Sequence, residues 1–176
     1  LGALFLVGPL FDIVTTMRLI ELSRPEHPLL QRMLREAPAT YHHSLMVANL
    51  AEQAAEGIEA NALLTRVGAY YHDVGKIARP YFFSENQTEG MNPHDRLDPE
   101  TSAQVIVGHV TDGLKLARRY RLPSQVRAFI PEHHGGNRVS FLYHKAVQLA
   151  GDEGLVDEED FRYPGSKPQS KETALV

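Results

Sequence analysis

His72-Asp73-Val74-Gly75-Lys76 decides the reading of this chain, because histidines elsewhere fall where a metal would need them. Upstream, His43 stands in Tyr41-His42-His43-Ser44; downstream come His109 and the adjacent pair His133-His134. A His-Asp doublet can place an imidazole and a carboxylate on neighbouring faces of one helix end. The carboxylate can then bridge two metal ions while separate histidines fill the outer positions. Imidazole suits iron, nickel, copper and zinc, whereas carboxylate and water suit manganese and magnesium. A mixed nitrogen and oxygen set without sulfur therefore fits a hydrolytic two-metal centre better than a structural zinc site.

Taken singly, a histidine at a helical position is more often a satisfied polar residue than a ligand. That reading is kept for His27 and His144. The pattern His, His-Asp, His, His-His is much harder to obtain by accident, and metal is the better reading of His43, His72, His109, His133 and His134. His42 competes with His43, but on a helix the two point ~100° apart, so one of them faces the site.

Composition narrows the rest. At 176 residues the chain is long enough for one domain with its own core. Its net charge of -4 argues against a generic DNA or RNA surface, which needs many phosphate-neutralising cations. A small anionic ligand is still compatible, since one or two cations beside a metal suffice. With no cysteine, disulfides and thiolate ligands are excluded. The apolar run from Leu1 to Val14 is shorter than the ~20 residues that span a bilayer, and it lacks the marks of a signal peptide. A core helix, an amphipathic linker and the tail of a longer membrane helix all fit it.

The hydrophobic period is helical nearly throughout, so an all-α bundle is expected. Helices are expected over about 29–36, 40–56, 62–71, 98–110, 114–120, 123–134 and 139–150. Gly57 is the expected cap of the second, and Asp98 with Pro99 opens the fourth. His43 then lies in a first turn, and His72-Asp73, His109 and His133-His134 lie at helix ends. A long polar connection runs from Lys76 to Leu97, and loops of that length are usually functional. The acidic stretch 152–160 reads as a solvated face and 161–169 as an irregular strap. At the end of the chain, Ala174-Leu175-Val176 reads as the opening of an apolar helix.

Several motifs together carry a family resemblance: Tyr41-His42-His43-Ser44, His72-Asp73-Val74-Gly75-Lys76, Pro80-Tyr81-Phe82-Phe83, Glu85-Asn86-Gln87, Asn92-Pro93-His94-Asp95, His109-Val110-Thr111-Asp112-Gly113, Glu132-His133-His134-Gly135 and Phe161-Arg162-Tyr163-Pro164-Gly165. With these the chain resembles the HD-domain phosphohydrolases, and more narrowly the seven-transmembrane, PgpH-type family of cyclic-di-AMP phosphodiesterases. The resemblance implies hydrolysis of cyclic di-AMP to linear pApA in second-messenger signalling, with two iron or manganese ions as cofactors. It implies that residues 1–22 are the end of a transmembrane helix and a linker. Residues 23–176 would be the cytosolic HD domain of a multi-pass cell-membrane protein, with no DNA or RNA partner.

By the same resemblance His43, His72, Asp73, His109, His133 and His134 are metal ligands, with Asp73 bridging and Lys76 near the scissile phosphate. The family carries a further ligating aspartate in a helix after the strap, so the domain is expected to be truncated at its C-terminal end.

For Lys76 a solvated surface lysine is the alternative, but Gly75 would let the backbone come close to the site. In the polar loop, Asn86, Gln87, Asn92 and His94 are candidates to hold a phosphate or read an adenine edge; Asn92 and His94 could equally cap turns. Tyr81, Phe82 and Phe83 offer stacking or core packing. Three functions compete with cyclic-di-AMP hydrolysis. A cyclic-di-GMP phosphodiesterase would carry a Gly-Tyr-Pro signature soon after the paired histidines, where Gly135-Gly136-Asn137-Arg138 stands here. A mononucleotide phosphohydrolase does not call for the long polar loop. A catalytically impaired cyclic-dinucleotide sensor would keep the pocket and lose ligands.

Overall fold

The computed structural model describes residues 14–87, 90 and 92–176. The readings of residues 1–13 as a membrane or linker segment lie outside the described residues. Among the described residues seven α-helices follow one another: α1 (Thr16–Leu22), α2 (Pro28–Glu36), α3 (Pro38–Gly57), α4 (Ala62–Tyr71), α5 (Pro99–Arg119), α6 (Ser124–Glu132) and α7 (Ser140–Ala150). Among the described residues there is no strand; one antiparallel bridge pairs Arg138 with Arg162. The fold is all-α, and no described helix is long and apolar enough to cross a membrane.

Local chemistry explains most of the boundaries. Asn61 Oδ1 accepts from the Leu64 amide at 3.0 Å and opens α4. Asp98 Oδ1 accepts from the Thr101 amide at 2.7 Å, and Pro99 takes the first helical position of α5, where its missing N–H costs nothing. Two cores hold the helices together. The larger buries Leu22, Leu29, Met33, Val67, Tyr71, Val74, Val110, Val126 and Ile130, and the smaller buries Ala103, Val139, Leu142, Tyr143, Ala146 and Phe161. Each large apolar side chain so buried contributes ~1.5–3 kcal/mol. Tyr163 packs against both cores and joins them.

Three expectations are corrected. Helix α5 runs unbroken through Gly113, so His109 lies in mid-helix rather than at an end. Gly113 lies inside this helix where the neighbouring turn comes close: a methyl there would meet the backbone nitrogen of Gly75 at 3.3 Å. Helix α3 begins at Pro38, which places His43 in its second turn, and Ile58 caps its end, with Glu59 taking the left-handed conformation (φ 55°) that Gly57 was expected to supply. The connection after His72 is not structureless. Short 3-10 turns at Val74–Ala78, Pro80–Phe82, Ser84–Asn86 and Pro93–Arg96 carry it across the bundle.

Candidate metal centre

Helix α4 ends at Tyr71, so His72 and Asp73 turn inward where the chain changes from α to 3-10 geometry. Asp73 is buried, and its two oxygens face different histidines. On one side Oδ2 lies 3.2 Å from His72 Nε2 and 3.9 Å from His43 Nε2. On the other, Oδ1 lies 3.4 Å from His109 Nε2 and 3.6 Å from His133 Nε2. Two groups of potential ligand atoms result, His43-His72-Asp73 and Asp73-His109-His133-His134, the atoms of each lying within 4.8 Å of one another. The structure thus brings all six predicted side chains together around one carboxylate. His42, one residue from His43, is exposed, as is His144, and His27 caps α2 by accepting from the Leu29 amide.

Three of the imidazoles are held by the same device. The Nδ1 atoms of His72, His109 and His133 lie 2.7, 2.6 and 2.8 Å from the carbonyls of Ala69, Ile106 and Ile130, each three residues earlier. A carbonyl can only accept, so each Nδ1 carries a proton and each Nε2 is the nitrogen that faces Asp73, able to ligate in the neutral ring. Gly135, left-handed at φ 55°, then turns the chain away after His134.

Electrostatics suit a cation. Asp73 Oδ1 is buried without a hydrogen-bond partner, although an orphaned carboxylate oxygen is costly. Burial opposes ionisation of Asp73, but His72, His133 and Lys76 outweigh it and hold the carboxyl well below its usual range. Burial pushes His109 down to about 4 and His134 down to about 3, so both are neutral near pH 7, the form that ligates. The donor set, imidazoles around an unpartnered carboxylate oxygen, therefore fits divalent metal binding.

A pH dependence follows for the metal-free protein. In the unfolded chain His109 and His134 protonate near 6.5, but in the fold only near 4 and 3. As pH falls below 6.5 the unfolded state binds the extra protons, so stability drops. His72 acts in the opposite sense, since burial that disfavours its charge is outweighed by Asp73 and its pKa is raised. With two large downward shifts against one upward, the melting temperature is expected to fall by about 5 °C or more between pH 7 and pH 5. A flat profile would mean that these imidazoles are solvated.

Lys76 is not a free surface lysine. Its Nζ donates to Asp73 Oδ2 and to Glu85 Oε1, both at 2.9 Å. Thr40 Oγ1 donates to the same Glu85 oxygen at 3.0 Å and accepts from Asn86 Nδ2 at 2.7 Å. Asn86 is thereby linked through Thr40, Glu85 and Lys76 to Asp73. Burial disfavours the Lys76 charge, yet Asp73 and Glu85 raise its pKa, so it stays cationic.

The other loop candidates stand further off. Asn92 Oδ1 accepts from the His94 amide at 3.1 Å and from Gln87 Nε2 at 3.4 Å, and His94 Nε2 donates to the Phe82 carbonyl at 2.9 Å. Phe83 is buried with its ring edge-on to His109, Phe82 is half-buried, and Tyr81 is 68% exposed. A cleft of about 350 Å³ beside the loop is lined by Arg35, Glu36, Tyr81, Glu85, Asn86 and Gln87 among others.

Sequence reading did not anticipate Thr40, Glu85 as the partner of Lys76, or Tyr163. The Tyr163 ring stacks on His134 with centroids 4.0 Å apart at 20°. No local pattern marks that contact, because strap and helix are joined only by the fold.

All-helical packing thus sets a His-Asp doublet at the centre of the site, the arrangement of an HD domain. The HD-domain sequence profile matches residues 40–175, and the chain belongs to that family. It is 53% identical over 166 residues to the cyclic-di-AMP phosphodiesterase PgpH of Bacillus subtilis, covering 94% of this chain and 23% of that protein. To the PgpH of Listeria monocytogenes it is 47% identical over 175 residues, covering 99% and 24%. The chain thus spans about a quarter of the length of these relatives. The crystal structure of the L. monocytogenes PgpH HD domain in complex with cyclic-di-AMP superposes with a TM-score of 0.81 at 48% identity, covering 87% of this chain and 70% of that one.

Proposed function

We propose that this domain is a metal-dependent phosphodiesterase that opens cyclic di-AMP to linear pApA. The observation that carries the reading is the sharing of Asp73, with His43 and His72 on one oxygen and His109 and His133 on the other. Similarity to the PgpH phosphodiesterases, and to an HD domain crystallised with cyclic-di-AMP, supports the choice of substrate. Two divalent ions, iron or manganese, are assigned: His43, His72 and Asp73 hold one, and Asp73, His109, His133 and His134 hold the other. Bound there, such ions lower the pKa of a water and neutralise charge on a phosphate.

The protein's own groups supply the rest. Lys76, fixed between Asp73 and Glu85, keeps one cationic N–H set beside the shared carboxylate, where a non-bridging phosphoryl oxygen would accept it. Glu85 and Thr40 orient that ammonium, and Phe83, 5.1 Å from it, shields one side from water. Asn86, Gln87, Asn92 and His94 are assigned to the rim that receives the nucleotide, Asn86 by direct linkage and the other three by shaping the loop. Residues 1–22 are assigned to the end of a transmembrane helix and a linker to the cytosolic domain, with Leu19 and Leu22 of α1 already packed in the larger core.

Turnover by the purified domain tests the reading. With Mn²⁺ or Fe²⁺ it should convert cyclic di-AMP to pApA and lose that activity on chelation; preference for cyclic di-GMP, or no turnover of either, would contradict it. Lys76→Met should lower kcat by about 10²-fold while leaving metal content unchanged, as expected for loss of one preorganised donor. A normal kcat would return Lys76 to a purely structural role.

A further inference from the structure

The five histidines around Asp73 are not held equally. His72, His109 and His133 are each fixed by an Nδ1 hydrogen bond to a carbonyl three residues back. His134 follows the end of α6, and its ring lies tilted against His133, at 4.0 Å and 43°, stacks on Tyr163, at 4.0 Å and 20°, and meets His109 edge-on at 5.3 Å. Tyr163 also meets His109 edge-on, with centroids 5.9 Å apart. It comes from the strap that follows the acidic stretch, 29 residues beyond His134 in the chain (163 less 134).

The strap is fastened to the segment that carries the histidine pair. The Tyr163 amide donates to the Asn137 carbonyl at 2.9 Å, and Arg162 Nη1 donates to the Gly136 carbonyl at 3.0 Å. Gly165 lies so close to the Pro131 carbonyl that a methyl group would collide with it. Beyond it, the buried Glu132 carboxylate accepts from the Gln169 amide at 2.8 Å and from the Thr173 hydroxyl at 2.6 Å. These attachments fall on both sides of His133-His134, so the ring of Tyr163 reaches His134 from a braced backbone.

We propose that Tyr163 is the positioning residue for His134, its ring serving in place of the backbone carbonyl that orients His72, His109 and His133, with the Glu132–Thr173 contact as the latch that keeps it there. The proposal rests on the metal reading given above. The His134 ring is kept in its plane by stacking, whereas His72, His109 and His133 also have one nitrogen fixed by a carbonyl, so removing the platform should release His134 alone. Loss should then fall on the group Asp73-His109-His133-His134 and spare His43-His72-Asp73. Outer partners of ligating histidines typically contribute 10–100-fold to metal affinity.

The test uses the whole chain, with Mn²⁺ as probe, in three forms: wild type, Tyr163→Ala and Tyr163→Phe. Isothermal titration should show two ions in the wild type, one of them weakened 10-fold or more in Tyr163→Ala, and recovery to within about threefold in Tyr163→Phe. Proton NMR of the metal-free protein gives an independent readout. The His134 ring protons should be shifted upfield by the stacked ring in wild type and Tyr163→Phe, and should lose that shift in Tyr163→Ala. If Tyr163→Ala does not fold, Tyr163→Leu fills the space without an aromatic face and takes its place. Two ions bound as tightly in the alanine or leucine form as in wild type would overturn the proposal, as would a phenylalanine form as impaired as alanine. A wild type that binds no Mn²⁺ but keeps the ring shift would instead refute the metal reading and leave the stacking intact.

Discussion

Asp73→Ala is expected to abolish hydrolysis and to empty both metal positions together. The carboxylate is the one group common to the two clusters, and its two oxygens serve different sets of histidines. Replacing a single histidine removes a ligand from one ion; removing Asp73 takes a ligand from both. A loss of at least 10³-fold in kcat/KM, about 4 kcal/mol of transition-state stabilisation, is the expected magnitude. Metal analysis of the same protein should find less than half an ion per chain. His144→Ala, on the exposed face of α7, should match the wild type in both measurements. A variant at Asp73 that kept more than a tenth of the wild-type rate would place the bridge elsewhere.

Gly75→Ala should be nearly as severe, though Gly75 has no side chain to offer a metal. A methyl at this position would be driven into the His109 carbonyl and crowd the backbone nitrogen of Gly113. Those are backbone atoms of α5, which cannot rotate aside as a side-chain tip could, so either the 3-10 turn or the helix must move. Overpacking of a side chain costs typically 1–3 kcal/mol, and a clash with backbone belongs at or above the top of that range. For a protein of this size, ~3 kcal/mol corresponds to a melting temperature lower by about 6–12 °C. Because Asp73 and Lys76 sit on the turn and His109 on the helix, the same displacement should also weaken metal binding. A melting temperature within about 2 °C of wild type would show that the contact relaxes freely.

That glycine illustrates what was legible in the sequence and what was not. Helical periodicity and the Asp98-Pro99 and Pro123 signals placed most helix boundaries within a few residues, because caps and apolar stripes are local properties. The convergence of His43, His72, Asp73, His109, His133 and His134 was readable from spacing and residue type. The end expected near Val110 was wrong, since the close approach of the Gly75 backbone at Gly113 is a tertiary contact with no local signal. Helix α5 continues through Gly113, and His109 sits in mid-helix.

The contacts that orient the site are the least visible. Glu85 on Lys76, Tyr163 on His134 and Thr173 on Glu132 join residues 9, 29 and 41 positions apart in the chain, across turns of no fixed period. Their side chains are ordinary ones for a surface loop, and only the tertiary arrangement gives them partners.

Anomalous diffraction from a crystal of the Mn²⁺-loaded protein tests the central claim most directly. Two peaks are predicted, ~3.5–4 Å apart on either side of Asp73. One should lie ~2.0–2.3 Å from Nε2 of His43 and His72, and the other at the same range from His109, His133 and His134. A single peak, or a pair not bridged by the Asp73 carboxylate, would contradict the account.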